Sequence, residues 1–293
     1  MAKIGLIDVD GHNWPNLPLM KLSAWHKAQG DDVAWWFGLE QYDKVYKSKV
    51  FDFTPDIDQI IMADEVVEGG TGYGVTGKLP EMVEHIYPDY ELYRITDTAY
   101  GFLTRGCPRK CPFCIVSEKE GSESYKVADL EEFWRGQKII KLLDPNLLAA
   151  PDADSLLDQL ARTKSHVDFT QGLDIRLLDE SRAAALKKIK IKIIHFAWDN
   201  PKQDLAPRFE NAKRWLGYDY RKMAVYVLTN YNSTHADDLH RVETLKRLGF
   251  DPYIMIYDKE NAPRETRLLQ RYANNKFIFR TCERFADYDP KKG

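Results

Sequence analysis

The stretch HVDFTQGLDIRLLDESRAAALKKIKIKIIHFAWD, residues 166–199, holds two apolar runs separated by a helical pattern. HVDFTQGL and IKIIHFAWD read as strands, and two strands joined through a helix form the repeating unit of a parallel sheet. The rhythm continues on both sides. YGFLT from 100, KIIKLLD from 138, MAVYVLT from 223 and PYIMIYD from 252 supply four more strands. Helical spacing lies between them. Leu156, Leu157 and Leu160 share one face, Phe209, Ala212 and Trp215 another, and Leu239, Val242, Leu245 and Leu248 a third. Asp129 followed by Glu132 is a capping-box start, with Leu130, Phe133 and Trp134 on one side. Six strands with helical crossovers predict an α/β fold, a partial (β/α)6 TIM-like barrel. Such sheets build their sites at the C-terminal strand ends.

Upstream, KIGLID, DDVAWWF, KVYKSKVFD and DEVVEGGTGYG read as shorter strands. NLPLMKLSAWHKAQG places Leu17, Met20, Ala24 and Ala28 at helical spacing, with Gly30 as the stop. Tyr-Pro-Asp at 87–89 and the irregular YELYRITDTAY read as a linker. The expected division is a small α/β domain over 1–97 and the barrel with a C-terminal extension over 98–293.

The chain has 293 residues, 44% hydrophobic and 30% charged, which is an ordinary globular composition. A net charge of −3 gives no global attraction to nucleic acid or membrane. No apolar run approaches the ~20 residues of a membrane span, and MAKIGLIDVDGHNW lacks the pattern of a signal peptide. A cytoplasmic location is therefore expected. In a reducing compartment, clustered cysteines read as metal ligands or catalysts.

Three of the four cysteines stand in RGCPRKCPFC, residues 105–114, directly after the strand from 100. Three thiolates on one short loop can bind three corners of a cubane cluster and leave one iron open to an exogenous ligand, such as the amino and carboxylate groups of a methionine. Gly106 allows a tight turn, and Pro108 and Pro112 stiffen the loop. Arg105, Arg109 and Lys110 place positive charge beside an electron-rich centre. The rival is a structural zinc site completed by Cys282, though zinc ligands usually come as two pairs.

The loop RGCPRKCPFC resembles the cluster-binding loop of the radical S-adenosylmethionine (radical SAM) superfamily, with Phe113 as the aromatic residue before the last cysteine. The resemblance implies a [4Fe–4S] cluster on Cys107, Cys111 and Cys114. It further implies reductive cleavage of SAM to a 5′-deoxyadenosyl radical, hydrogen abstraction from a substrate, and a reductant such as flavodoxin or ferredoxin. The unit over 1–97 resembles a Rossmann-like cobalamin-binding domain, through EGGTGYGVTGKLPEMVE. That likeness brings a cobalamin-dependent radical SAM methyltransferase as the alternative. DVDGHN has Asp10 and His12 but no Asp-x-His-x-x-Gly motif, so the domain is expected to lack cobalamin and to serve as a lid or platform. No cysteine precedes Cys107, which argues against a second cluster.

Polar residues at the ends of apolar strands complete the candidate site. Asp144 and Asn146 follow the second strand of the barrel. Asp144 stands where the superfamily often has Gly-Gly-Glu for the methionine amino group. Gln171, Asp174 and Arg176 follow the third strand, with the carboxylate and guanidinium suited to ribose hydroxyls and the methionine carboxylate. Asp199 with Asn200, Thr229 with Asn230, and Tyr257 with Asp258 follow the next three. His12 and Asn13 read as a turn, and His195 as a satisfied core residue. Trp35, Trp36, Trp134, Trp198 and Trp215 read as core. Lys187, Lys188, Lys190 and Lys192 look like an RNA-binding run, which a solvated helix end explains equally well. Cys282 reads as a buried thiol.

Overall fold

The computed structural model describes residues 1–11, 13–74 and 77–291. The chain divides into two compact units, Met1–Gly101 with Ala128–Lys138, and Phe102–Val127 with Ile139–Gly293. His12 lies outside the described residues, as do Val75 and Thr76 of the glycine-rich stretch.

The first unit contains β1 (Lys3–Asp8), α1 (Leu17–Ala28), β2 (Asp32–Trp35), β3 (Tyr42–Ser48), β4 (Ala63–Gly69), the one-turn α2 (Glu81–Glu84) and β5 (Thr98–Gly101). Its sheet has the order β2-β1-β3-β4, with every neighbouring pair parallel. Alternation along β1 sends Ile4 and Leu6 towards Leu19, Leu22 and Val83, while Ile7 meets Tyr42 and Val45 on the opposite face. The Asn16 side chain starts α1 by accepting from the Leu19 amide at 3.3 Å, and its own amide donates to Ser48 Oγ at 2.8 Å. The expected linker is packed structure. Tyr90 is buried, its hydroxyl accepting from the Tyr100 amide at 2.9 Å and donating to the Phe133 carbonyl at 2.8 Å. The capping box at Asp129 exists, but it starts a single 3-10 turn over Leu130–Glu132.

The second unit contains β6 (Thr104–Arg105), the one-turn α3 (Val116–Lys119), β7 (Tyr125–Lys126), β8 (Ile139–Leu142), α4 (Ala153–Ala161), β9 (His166–Phe169), α5 (Glu180–Lys188), β10 (Ile191–Ala197), α6 (Ala206–Leu216), β11 (Met223–Thr229), α7 (His235–Leu248), β12 (Asp251–Ile256), α8 (Arg264–Asn274) and α9 (Lys276–Thr281). Five strands lie here in the order β12-β11-β10-β9-β8, all parallel. Order in space follows order in sequence, as successive crossovers on one face dictate. One sheet face carries Ile140, Val167, Ile194, Phe196, Val225, Val227 and Ile254, each completely buried. Leu156, Leu160, Leu186, Phe209, Val242 and Leu245 from the crossover helices are buried with them. Each such side chain contributes about 1.5–3 kcal/mol when removed from water. A second cluster of Val242, Ile254, Leu269, Tyr272, Ala273, Ile278 and Phe279 seats the C-terminal helices.

The fold is thus α/β with parallel sheets, as expected from the strand–helix rhythm. The sheet of the second unit is open, so a closed barrel is not formed. The predicted strand from Tyr100 ends at Gly101, where only glycine fits, since a Cβ would stand 2.3 Å from Phe133 Cγ. Thr104 and Arg105 instead begin a separate antiparallel pair with Lys126 and Tyr125. Trp198 is buried, whereas Trp35, Trp36, Trp134 and Trp215 are only half-buried. No helix among the described residues is long and apolar enough to cross a membrane.

Candidate functional site

The antiparallel pair β6–β7 closes the base of the cysteine loop. Above it, the Cys107 amide donates to the Gly121 carbonyl at 3.1 Å, and the Cys114 amide to the Cys111 carbonyl at 2.9 Å. Arg105 Nη1 and the Gly106 amide share the Glu120 carboxylate, at 2.7 and 3.2 Å. Gly106 has φ +77°, and a Cβ there would stand 2.0 Å from the Glu123 carbonyl oxygen. Lys110, between the first two cysteines, is also left-handed at φ +47°. Gly106→Ala should therefore cost about 1–3 kcal/mol through local strain. Faster tryptic cleavage at Arg109 and Lys110 is the expected readout, and an unchanged cleavage rate would contradict it.

Asp144, just beyond β8, fixes the start of the loop. Its Oδ1 accepts from the Leu103 amide at 3.1 Å, the Thr104 amide at 2.5 Å and Thr104 Oγ1 at 2.7 Å. The sequence reading offered this carboxylate to a cosubstrate; its observed bonds are to the loop backbone. Burial pushes its pKa up to about 6, against the opposing pull of these hydrogen bonds. Between about pH 4 and 6 the folded chain retains a proton that the unfolded chain has lost. Stability should fall as pH rises through that window, by on the order of 3 kcal/mol for a carboxyl moved from 3.8 to about 6. Urea melts of the wild type and Asp144→Asn across this range check it, since the variant should lose that component of the pH dependence.

Asn146 lies two residues on, 3% exposed. Its Nδ2 donates to Cys107 Sγ at 3.5 Å, while its Oδ1 is buried without a hydrogen-bond partner. A buried amide carbonyl left unsatisfied beside a thiol is costly in isolation and suited to a bound donor.

The middle of the loop is tied to the segment after β9. Arg109 Nε stands 3.8 Å from Asp174 Oδ2, and Arg176 Nε donates to Asp174 Oδ1 at 2.6 Å. Arg176 also reaches Gln203 Oε1 at 3.0 Å. Asp174 and Arg176, expected to face ribose and carboxylate, thus bind each other and the loop. Gln171 is exposed. Phe113 meets Tyr231 edge to face at 5.3 Å, and Tyr231 meets Tyr257 at 4.8 Å, so the loop touches the ends of β11 and β12. Asp199 accepts from the Leu228 amide at 3.0 Å; burial raises its pKa, while that bond and the charges of Arg241 and Arg176 oppose the rise. Thr229 is fully buried and donates to the Met255 carbonyl at 3.3 Å; Asn230 Nδ2 donates to the Tyr257 carbonyl at 2.9 Å.

Sequence reasoning missed Arg241. On α7 it is 1% exposed and gathers the Trp198, Asp199 and Leu228 carbonyls together with Asp238 Oδ1, at 2.5–3.1 Å. Its helical neighbours Val242 and Leu245 drew attention to the apolar stripe, and a lone arginine beside it reads as surface. His195 matches expectation, with Nδ1 3.1 Å from the Phe169 carbonyl and its ring stacked on Tyr226. Cys282 is half-buried in the C-terminal helical region, its thiol donating to the Arg284 carbonyl at 3.2 Å.

Cys107 and Cys111 are half-buried and Cys114 is exposed. Burial raises the Cys111 pKa; Arg109 opposes this, and Cys114, Asp199 and Cys107 add to it. Cys111 therefore senses both of the other sulfurs. Among the described residues, no three His, Cys, Asp or Glu side chains are drawn together as a ready metal site. The donor chemistry still fits an iron–sulfur cluster. The site offers three thiols on one braced loop, a cationic neighbour in Arg109, and the Asn146 amide donating to Cys107 Sγ. No protein-family model matches the chain, and no curated protein matches it in sequence.

Proposed function

We propose that the chain is an enzyme of the radical SAM type, with Cys107, Cys111 and Cys114 as the ligands of one [4Fe–4S] cluster. The observation that carries this reading is the three-cysteine loop, closed at its base and tied to the C-terminal ends of consecutive parallel strands. When bound, such a cluster supplies the electron that cleaves SAM to methionine and a 5′-deoxyadenosyl radical.

The chain's own residues have separate tasks. Asp144 and Glu120 hold the loop's first turn, Asp174 holds Arg109 beside Cys111, and the Phe113–Tyr231–Tyr257 rings cover its far side. Asn146 Nδ2 donates to a cysteine sulfur, an interaction that tunes cluster potential. The open sheet with strands in sequence order supports the partial (β/α)6 barrel. The first unit is read as a Rossmann-like platform without cobalamin, since residues 8–13 lack the ligand motif. Metal analysis of anaerobically purified protein tests the reading. Iron with acid-labile sulfide supports it, and stoichiometric zinc without sulfide overturns it.

A further inference from the structure

The N-terminal ends of the strands, opposite the cysteine loop, carry a second constellation. An open surface cavity of about 540 Å³ is lined by His166, Lys192, Tyr218, Asp219, Arg221 and Lys222, together with Ile191 and Gly217. That volume lies in the ~300–1,000 Å³ range of ligand sites. Lys192 stands where the pairing of β10 with β9 shifts register. Ile191 pairs with Val167 and Ile193 with Asp168, so Lys192 is the extra residue of a β-bulge. Bulges re-aim side chains and are common beside functional sites.

The cations of this cavity are unbalanced. Its one carboxylate, Asp219, is taken by Arg221, whose Nε and Nη2 donate to Asp219 Oδ2 at 2.8 and 2.6 Å. Among the described residues, its lysines Lys192 and Lys222 make no ion pair, nor does Lys190, which lies outside the lining. All three act on His166, whose pKa is lowered by desolvation and then by Lys190, Lys222 and Lys192. Aromatic rings alternate with the charges. Lys222 Nζ lies 4.9 Å from the Tyr218 ring centre; the exposed Tyr220, outside the lining, has Arg280 over its ring at 3.9 Å, an arginine already paired with Asp251. The Tyr218 turn is fixed by Lys213, whose Nζ donates to the Tyr218 carbonyl at 2.8 Å.

We propose that this cavity binds single-stranded nucleic acid, with backbone phosphates on Lys192 and Lys222 and a base against Tyr218. Unpaired lysines interleaved with rings suit a strand whose bases are free to stack. A duplex hides those faces. The chain's net charge of −3 conceals the site because the charge is segregated, not absent.

The test is fluorescence anisotropy with a labelled single strand of about 12 nucleotides, inside the usual site range. The full chain should bind it at low salt and prefer it to the corresponding duplex. Lys192→Gln with Lys222→Gln should weaken binding at least about 10-fold and flatten the log–log salt slope by about 1.4, two phosphate contacts' worth. Lys192→Arg with Lys222→Arg should retain binding. In the proton spectrum, the strand should raise the His166 titration midpoint. The proposal fails if the wild type does not bind, if the glutamine variant binds equally, or if a duplex binds as tightly. It also fails if only inorganic phosphate shifts His166. The glutamine variant should melt like the wild type, since Lys192 is exposed and Lys222 only half-buried.

Discussion

Cys111→Ala should reduce iron and sulfide incorporation, and 5′-deoxyadenosine formed from SAM and dithionite, to the level of a reaction without protein. The expectation follows from ligand number. A loop reduced to two thiols cannot hold three corners of a cubane, and Cys282, bonded within the C-terminal region, is not part of the loop. The loop itself should survive the substitution. Its shape rests on backbone and carboxylate bonds, from Cys107 to Gly121, from Gly106 to Glu120 and from Leu103 and Thr104 to Asp144. None uses the Cys111 sulfur. The variant should therefore melt within about 1 kcal/mol of the wild type, as a partly exposed truncation does. Lost product with an unchanged melt assigns the effect to chemistry. Wild-type levels of 5′-deoxyadenosine from the variant would sink the radical SAM reading.

Asn146→Ala separates ligation from tuning. The residue donates to Cys107 Sγ without being a cysteine ligand. Replacing such a partner typically costs about 10–100-fold in affinity or activity. The expected result is a cluster that still forms but turns over more slowly.

Strand periodicity made the sheet of the second unit legible, because its buried face repeats Val, Ile and Phe through β8–β12 with helical stripes between. The cysteine loop was legible for a different reason, since the ligands and their spacing are contiguous. Tertiary pairings were not legible. Asp144, Asp174 and Arg176 were read as polar residues available to a cosubstrate. Whether a carboxylate meets a ligand or a backbone amide 40 residues away depends on packing that no local pattern encodes. The same blindness hid the basic cavity. The run from Lys187 to Lys192 looks like a solvated helix end until the turn after α6 brings Arg221 and Lys222 beside Lys192 in one lining. The packing of the stretch 87–100, expected as a linker, was hidden for a related reason. Tyrosine-rich irregular sequence has no periodicity, yet Tyr90 is held by two backbone bonds.

Arg241→Met should be the most destabilising single change in the second unit, by about 3–5 kcal/mol, the usual cost of removing one partner from a buried ion pair. Both partners are almost fully buried, at 1% exposure each. The substitution leaves the Asp238 carboxylate without its charged partner, holding only the Asn230 amide at 3.4 Å, and removes the donor from three carbonyls, at Trp198, Asp199 and Leu228. Those carbonyls sit where β10 and β11 hand over to the loops facing the cysteines, so the damage falls on the strand ends that support the candidate site. Against a typical domain stability of about 5–15 kcal/mol, the variant should be marginal. Adding Asp238→Leu distinguishes the two parts of the cost. Removing the stranded charge should recover some stability, because a buried pair is replaceable by apolar groups. Recovery should be incomplete, because the three carbonyls remain unsatisfied, at about 1–3 kcal/mol for each group left without a donor. Urea melts of the single and double variants measure both quantities. A single variant within about 0.5 kcal/mol of the wild type, the range of ordinary surface substitutions, would mean that Arg241 is a passenger in the fold and not the clamp on its strand ends.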